Sequence, residues 1–520
     1  MTRPRLALAG ILAALSASPT LLGDDFVDRA NAQYANIPSA KRSDLVLLPL
    51  LARMDRAPAG GGEQLELLSA AQILTIRPGM AAWANHEGWI NAPAQRAALD
   101  GLRQVARSAE GMVFAQPYGT QGVAVDLIRA GTYIDLGDPP TLAAADNGTL
   151  RKIEDLGLLA YLESARLAGE GKPFEAIELV LDWLSFARQY ANRELSSEAR
   201  EGFSQMVVAI STIRDIAYED FRSGERKLTS ANLLTILDRI RPEKLLIERI
   251  GFPDVDLIAA EQLVSQVFDS SGQPVAEFST RMATMASREY PLRLFAEAAA
   301  WDMIAENHKD LLDTKTAVSR SAGDWSSRWA LDPFDDRMKE PFHYDRVRQD
   351  PSLRVVTVAL QDTGALFGLR RIFHTEAVGT RTSLGVLAYY YDFRNFPPLL
   401  ASVRPRYLPE IEPDPFNPDR AFGRKPPMSY FVPHGPGYRT LGPRETPEPH
   451  VMNIVTPLHN FRARVDRDEF VIYSTGSDGA SGWVERVENT YVYAPNADYL
   501  IWPPQISLLR RHLVQIGALK

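Results

Sequence analysis

Proline is concentrated in one part of this 520-residue chain, and this concentration limits what the chain can fold into. Fourteen of the 36 prolines lie between residues 397 and 450. Because proline lacks an amide donor and fixes φ, a helix cannot run through such a stretch. The residues before it follow a helical period instead. The sequence therefore predicts two unequal parts, first a helical one and then one of turns and short strands.

The helical body, residues 33–340, is predicted to be an irregular array of helical hairpins. Phe203, Met206 and Ile210 mark one apolar face of a helix that begins near Ser197. Residues 151–192 predict two antiparallel helices joined by a short turn. This hairpin is similar to one unit of a tetratricopeptide repeat, but no second copy follows at a regular period.

The C-terminal module, residues 341–520, is predicted to hold a long helix and a small antiparallel sheet. The helix, either continuous or broken, covers about residues 353–391, where Gly364 and Gly368 are expected to allow close packing on a neighbouring helix. Short alternating apolar segments at 428–432, 470–474 and 491–493 are typical of strands. A short helix is predicted at 506–516. The predicted fold class is thus α+β, with a mostly α-helical body.

The first 32 residues predict a secretory signal. Arg3 and Arg5 precede an uncharged, Ala/Leu-rich run at 6–22. The sequence Ala-Asn-Ala at 30–32 fits a cleavage site. An uncleaved anchor and a buried N-terminal helix are the alternatives. No later segment is long and apolar enough to predict a membrane-spanning helix.

Charge and cysteine content exclude several classes of protein. The net charge is −8, from 57 basic and 65 acidic side chains, so nucleic acid is not the expected partner. The chain contains no cysteine, which excludes thiol nucleophiles, disulfides and Cys-ligated metals. A thiol-free chain cannot mispair in an oxidising compartment, and this agrees with the predicted export.

The C-terminal module carries a series of short motifs in a fixed order. A helix ends near Tyr390, and it is followed by YDFRNFP at 391–397, YLP at 407–409, DPFN at 414–417 and FVIYSTGSDG at 470–479. This series resembles the globular domain of the major pseudopilins of type II secretion systems, over residues 375–482. It is also similar to large uncharacterised exported bacterial proteins that join such a module to a helical body. The chain departs from pseudopilins at its start, where the apolar run precedes Gly23 instead of following a processing glycine.

The resemblance implies a calcium site, because major pseudopilins bind Ca²⁺ at the turn that corresponds to 474–479. Asp478 matches the family aspartate, and Ser474 and Ser477 offer oxygens beside it. Calcium takes six to eight oxygen ligands. The alternative is a tight Ser-Asp-Gly turn that holds no metal.

The most site-like segment of the helical body is residues 83–89, with the sequence WANHEGW. The indoles of Trp83 and Trp89 could stack on a sugar or a cation. His86 and Glu87 between them could transfer a proton. The alternative is an aromatic turn packed on the helices, because tryptophans are mostly buried.

Two functions are therefore predicted. The first is a non-enzymatic structural or interaction protein that is exported to the bacterial periplasm or outer envelope and binds a protein or envelope partner. The second is a hydrolase or carbohydrate-binding protein that uses residues 83–89.

Overall fold

The computed structural model describes residues 23–58, 74–108, 111–282, 298–433, 450–456, 459–476 and 498–519, with the single residues 435, 479, 482 and 484. The predicted apolar run at 6–22 and the predicted strand at 491–493 lie outside these residues. The fold is α+β and 60% helical, as predicted. Within the described ranges, no helix is both long enough and apolar enough to span a membrane.

The α-helices are α1 (Gly23–Ala35), α2 (Ser43–Leu51), α3 (Ala84–Asn91), α4 (Pro93–Ala106), α5 (Val125–Arg129), α6 (Gly148–Gly169), α7 (Pro173–Ala191), α8 (Ser196–Arg222), α9 (Ser230–Arg239), α10 (Pro242–Leu245), α11 (Val255–Val267), α12 (Ala298–Asn307), α13 (Leu311–Trp329), α14 (His343–Gln349), α15 (Arg354–Ala359), α16 (Gly364–Phe393) and α17 (Gln505–Gln515). Short 3₁₀ helices cover Ser39–Lys41, Ala81–Trp83, Leu142–Ala144, Ile247–Arg249, Asp336–Lys339, Pro351–Leu353, Leu400–Val403 and Pro418–Phe422.

The strands are β1 (Ile134–Asp135), β2 (Asp146–Asn147), β3 (Ser429–Phe431), β4 (His450–Val455), β5 (Asn460–Val465), β6 (Val471–Ser474) and β7 (Tyr499–Trp502). They form three small antiparallel sheets with the orders β1-β2, β3-β6-β7 and β4-β5. Tyr430 pairs with Ile472, and Tyr473 pairs with Leu500. The sequence predicted β3 and β6, but not the β4-β5 hairpin.

The helical hairpin predicted at 151–192 is present as α6 and α7. Asn147 caps α6 by accepting a hydrogen bond from the amide of Leu150. Pro173 occupies the first turn of α7, where its missing amide costs nothing. The long helix α8 then packs against both α7 and α16. The predicted apolar face of α8 is buried, since Phe203, Met206 and Ile210 are each inaccessible to solvent.

One hydrophobic core joins the helical body to the C-terminal module. It runs from Leu47 through Trp183 and Phe203 to Leu384 and Trp502. A second core spans residues 260–360. The predicted division at residue 340 therefore falls within the second core and not between two cores.

Gly364 and Gly368 do not provide the close helix packing that was predicted for them. Gly364 is the first residue of α16, after a break in the predicted helix at 360–363. A Cβ added at Gly368 would meet nothing within 4 Å. The close approach lies further along α16 instead, where a Cβ at Gly379 would come 2.6 Å from Ile501 of β7.

The predicted cleavage site at 30–32 lies inside helix α1. Ala30 is buried, and α1 packs in a small core with Tyr118 and Leu136. The Asn31 side chain donates to the carbonyl of Tyr118 at 3.0 Å and accepts from its amide at 2.8 Å. Cleavage after Ala32 would remove these contacts.

Helices α7 and α8 are closest at Gly202, and this contact makes a stability prediction. A Cβ at Gly202 would lie 2.7 Å from the Cβ of Ala191 and closer still to its backbone. We expect Gly202→Ala to lower the free energy of unfolding by about 1–3 kcal/mol, because two helix backbones would have to separate. Urea unfolding measures this change.

Gly323→Ala in α13 is the matched control, since a Cβ there meets nothing within 4 Å. It should stabilise the protein by about 0.5–1 kcal/mol through helix propensity. A Gly202→Ala variant as stable as the wild type would contradict the close approach of α7 and α8.

Candidate functional site

The segment 83–89 forms a short 3₁₀ turn and helix α3, not an aromatic turn. Trp83 and Trp89 are buried in the main core, and the indole of Trp89 donates to the carbonyl of Asp55 at 3.0 Å. His86 is buried, and burial lowers the pKa of its imidazole. Glu87 is exposed. The packing of the two indoles in the core lends no support to the stacking surface that the second predicted function requires.

The predicted calcium ligands are only partly within the described residues. Ser474 is buried, and its hydroxyl donates to Oδ1 of Asp414 at 2.8 Å. Asp414 also accepts from the amides of Phe416 and Thr475, so it anchors the DPFN turn to the end of β6. Ser477 and Asp478 lie outside the described residues. Among those that are described, no group of three or more acidic or histidine side chains could hold a metal, so calcium stays a prediction.

A buried ionic cluster joins α8, α17 and the segment before α3. We call it the Asp215 cluster; its members are Arg77, Asp215, Glu219, Ser507 and Arg510. Arg510 binds Asp215 at 2.6 Å and Glu219 at 2.8 Å, and it donates to the carbonyls of Leu74 and Thr75. Arg77 and Ser507 also bind Asp215. Burial alone would raise the pKa of Asp215, but Arg510 and Arg77 outweigh it and hold that pKa below its usual range.

A cleft of about 420 Å³ lies beside this cluster, between α6, α8 and Ile506. The cleft is narrow and has room for only about two water molecules. Ser211 and Thr212 line it, but their hydroxyls donate to the carbonyl of Val208 at 2.9 and 2.8 Å. The polar groups of this region thus serve mainly to hold three segments together.

A second buried cluster surrounds Arg193, just after α7. Its guanidinium binds Glu198 at 3.1 Å and donates to the carbonyl of Gln116 at 2.8 Å. The guanidinium lies 4.5 Å and 4.6 Å from the ring centroids of Tyr34 and Tyr118. Burial opposes the charge of Arg193, but Glu198 together with the surrounding tyrosines outweighs it, and the pKa of Arg193 is raised. Because Tyr34 belongs to α1, this cation ties α1 to the connection between α7 and α8.

Two carboxylates next to this cluster each cap the first turn of a helix, one at α8 and the other at α11. Asp256, in the first turn of α11, accepts from the amide of Ser196 at 2.6 Å, and Ser196 begins α8. Glu194 accepts from the amide of Asp254 at 3.0 Å, immediately before α11. Burial raises the pKa of both Asp256 and Glu194 to about 7. A carboxyl with such a pKa exchanges a proton near neutral pH.

The end of helix α16 differs from these clusters because its aromatic and charged side chains are exposed. Phe393, the last residue of α16, is 51% exposed, and Leu399 in the following loop is 67% exposed. Phe393 packs on Tyr389 at 4.5 Å between ring centroids, and Tyr389 in turn contacts Tyr407. The loop from 394 to 406 therefore folds back beside the helix end.

Three arginines accompany these apolar side chains. Arg394, Arg404 and Arg406 are all exposed, and the guanidinium of Arg406 lies 5.9 Å from the centroid of the Phe393 ring. Arg406 pairs with Asp392 at 2.6 Å. We call the exposed side chains of this helix end and the loop after it the Phe393 patch; they are Phe393, Arg394, Leu399, Arg404 and Arg406.

Comparisons with known proteins returned no relative. No family model matches the sequence, and no curated protein or solved structure shows significant similarity to it. The resemblance to pseudopilins therefore rests on the motifs alone.

The sequence signal for the Phe393 patch lies in the motif YDFRNFP, where an aromatic side chain and an arginine stand next to each other at a helix end. The motif carries the family resemblance, but its residue types alone do not show that Phe393 is exposed. The charged members of the buried clusters have no comparable signal, because Arg193, Asp215 and Arg510 resemble solvated charges on helix surfaces.

Proposed function

We propose that the protein is an exported, envelope-associated interaction protein, and that it binds an envelope component through the Phe393 patch. The exposure of Phe393 and Leu399 beside arginines carries this proposal. Apolar side chains exposed together with cations mark surfaces that bind a partner more often than scattered single residues do.

The patch is held on a rigid base, which supports its use as a binding surface. Tyr390, near the end of α16, stacks on Phe396 at 4.7 Å between ring centroids. The hydroxyl of Tyr430 in β3 donates to the carbonyl of Pro397 at 2.7 Å. Because both contacts fix the loop that follows α16, the patch can be presented to a partner with little loss of conformational freedom.

The test is the binding of the purified full-length chain to washed envelope membranes, measured by sedimentation. We expect the double variant Phe393→Ser/Leu399→Ser to bind at least about tenfold more weakly than the wild type, because it removes two apolar side chains from the contact. The urea unfolding curve of this variant should stay close to that of the wild type, since both side chains are exposed.

The matched control is Met303→Ser/Leu312→Ser, which removes two apolar side chains that are 63% and 73% exposed outside the patch. The control should bind as the wild type does. All three proteins share the apolar N-terminal run, so any contribution from that run cancels in the comparison. Equal binding by the wild type and the Phe393→Ser/Leu399→Ser variant would overturn the proposal.

A further inference from the structure

We infer that the Phe393 patch binds the surface of a lipid bilayer that contains anionic headgroups. This inference rests on the proposed function and names the partner of the same surface.

The apolar part of the patch is small. It presents two large apolar side chains, Phe393 and Leu399, with the exposed Pro398 between them. A stable protein interface buries about 800 Å² on each partner around a closely fitted centre. A lipid surface needs neither such an area nor a closely fitted centre, because its acyl chains and headgroups rearrange around a few inserted side chains. The patch thus fits a fluid surface better than a protein partner.

The charge of the patch fits an anionic surface. Arg406 pairs with Asp392, but within the described ranges neither Arg394 nor Arg404 has an ion-pair partner. Arg226 lies nearby, since its guanidinium donates to the hydroxyl of Tyr390 at 3.1 Å. This local excess of arginine occurs on a chain whose net charge is −8. Cations at such a position attract anionic lipid, whereas the rest of the surface favours repulsion.

Arg394 also occupies an unusual position. It follows the last residue of α16 with a φ of 58°, where glycine or asparagine is the usual residue. Its amide donates to the carbonyl of Tyr390 and so ends the helix. The chain therefore carries a long cationic side chain directly after Phe393, at a position that favours glycine.

The experiment is co-sedimentation of the full-length chain with vesicles. One set contains phosphatidylcholine alone, and the other contains phosphatidylcholine with phosphatidylglycerol. We expect the wild type to bind the anionic vesicles at least about tenfold more tightly than the neutral ones, and to lose most of this difference at high salt. Phe393→Ser/Leu399→Ser and, separately, Arg394→Gln/Arg404→Gln should each weaken binding to anionic vesicles by about tenfold or more.

Met303→Ser/Leu312→Ser serves again as the control and should bind as the wild type does. Equal binding of the wild type to neutral and anionic vesicles would overturn the inference, and so would patch variants that bind anionic vesicles as tightly as the wild type. Patch-dependent binding to envelope membranes without binding to vesicles would also overturn the lipid inference. That result would point to an acidic protein partner and would leave the proposed function intact. If the patch variants bind both the envelope membranes and the anionic vesicles as tightly as the wild type does, both proposals are refuted.

Discussion

Asp215→Ala is expected to lower the free energy of unfolding by about 3–5 kcal/mol, because Arg510 and Arg77 would share Glu219 where they now have two carboxylates. Arg510 is almost completely buried and binds both oxygens of Asp215. Arg77 binds the same carboxylate. Urea unfolding followed by tryptophan fluorescence measures the loss.

Two further variants test this explanation. Asp336→Ala removes an ion pair with Lys339 in which both side chains are well exposed, and it should change the free energy of unfolding by less than about 1 kcal/mol. Adding Arg510→Met to Asp215→Ala should recover part of the loss, since it removes the uncompensated buried charge. An Asp215→Ala variant within about 1 kcal/mol of the wild type would show that the cluster adds little to stability.

The second large effect is a fall in stability as the pH rises from about 4 to about 7. Burial raises the pKa of Asp256 to about 7, while the unfolded chain has an ordinary aspartate. Between these two values the folded protein holds a proton that the unfolded chain releases, so stability is lost as the pH rises. At about 1.4 kcal/mol per pH unit, the loss from this group reaches up to about 4 kcal/mol.

Asp256→Asn isolates this contribution, because an amide oxygen can still accept the hydrogen bond from Ser196 and does not titrate. The variant should gain stability over the wild type as the pH rises from about 4 to about 8. A smaller slope should remain in the variant, because Glu194 is shifted in the same direction. Parallel stability curves for the wild type and Asp256→Asn would contradict the raised pKa of Asp256.

The sequence predicted the helices and strands whose apolar patterns are contained within a short segment of the chain. The helices around Phe203 and Ile177 follow from apolar spacing, and the strands at 429–431 and 471–474 follow from alternation between turn residues. The β4-β5 hairpin was missed although its side chains alternate in the same way, with Met452 and Ile454 buried and polar side chains such as Arg464 on the outer face. The prediction that Gly364 and Gly368 allow close helix packing was wrong, because their spacing alone does not show which face of α16 meets a neighbour.

The ionic clusters could not be predicted because each joins side chains that are far apart in the sequence. Asp215 and Arg510 are 295 residues apart, and Arg193 depends on Tyr34, which belongs to another helix. Whether a charge is buried depends on the tertiary contacts of both partners and not on its local sequence. For the Phe393 patch the sequence showed the residue types, and the structure added their exposure.

The position of Arg510 near the end of the chain sets the order in which the fold can be completed. A ribosome adds about 5–20 residues per second, so Arg510 follows Asp215 and Arg77 into the cluster only after roughly 15–60 s. During this time the helices around Asp215 exist without the helix that seals them. A nascent chain in this state keeps the place that Arg510 will occupy open to water and to chaperones.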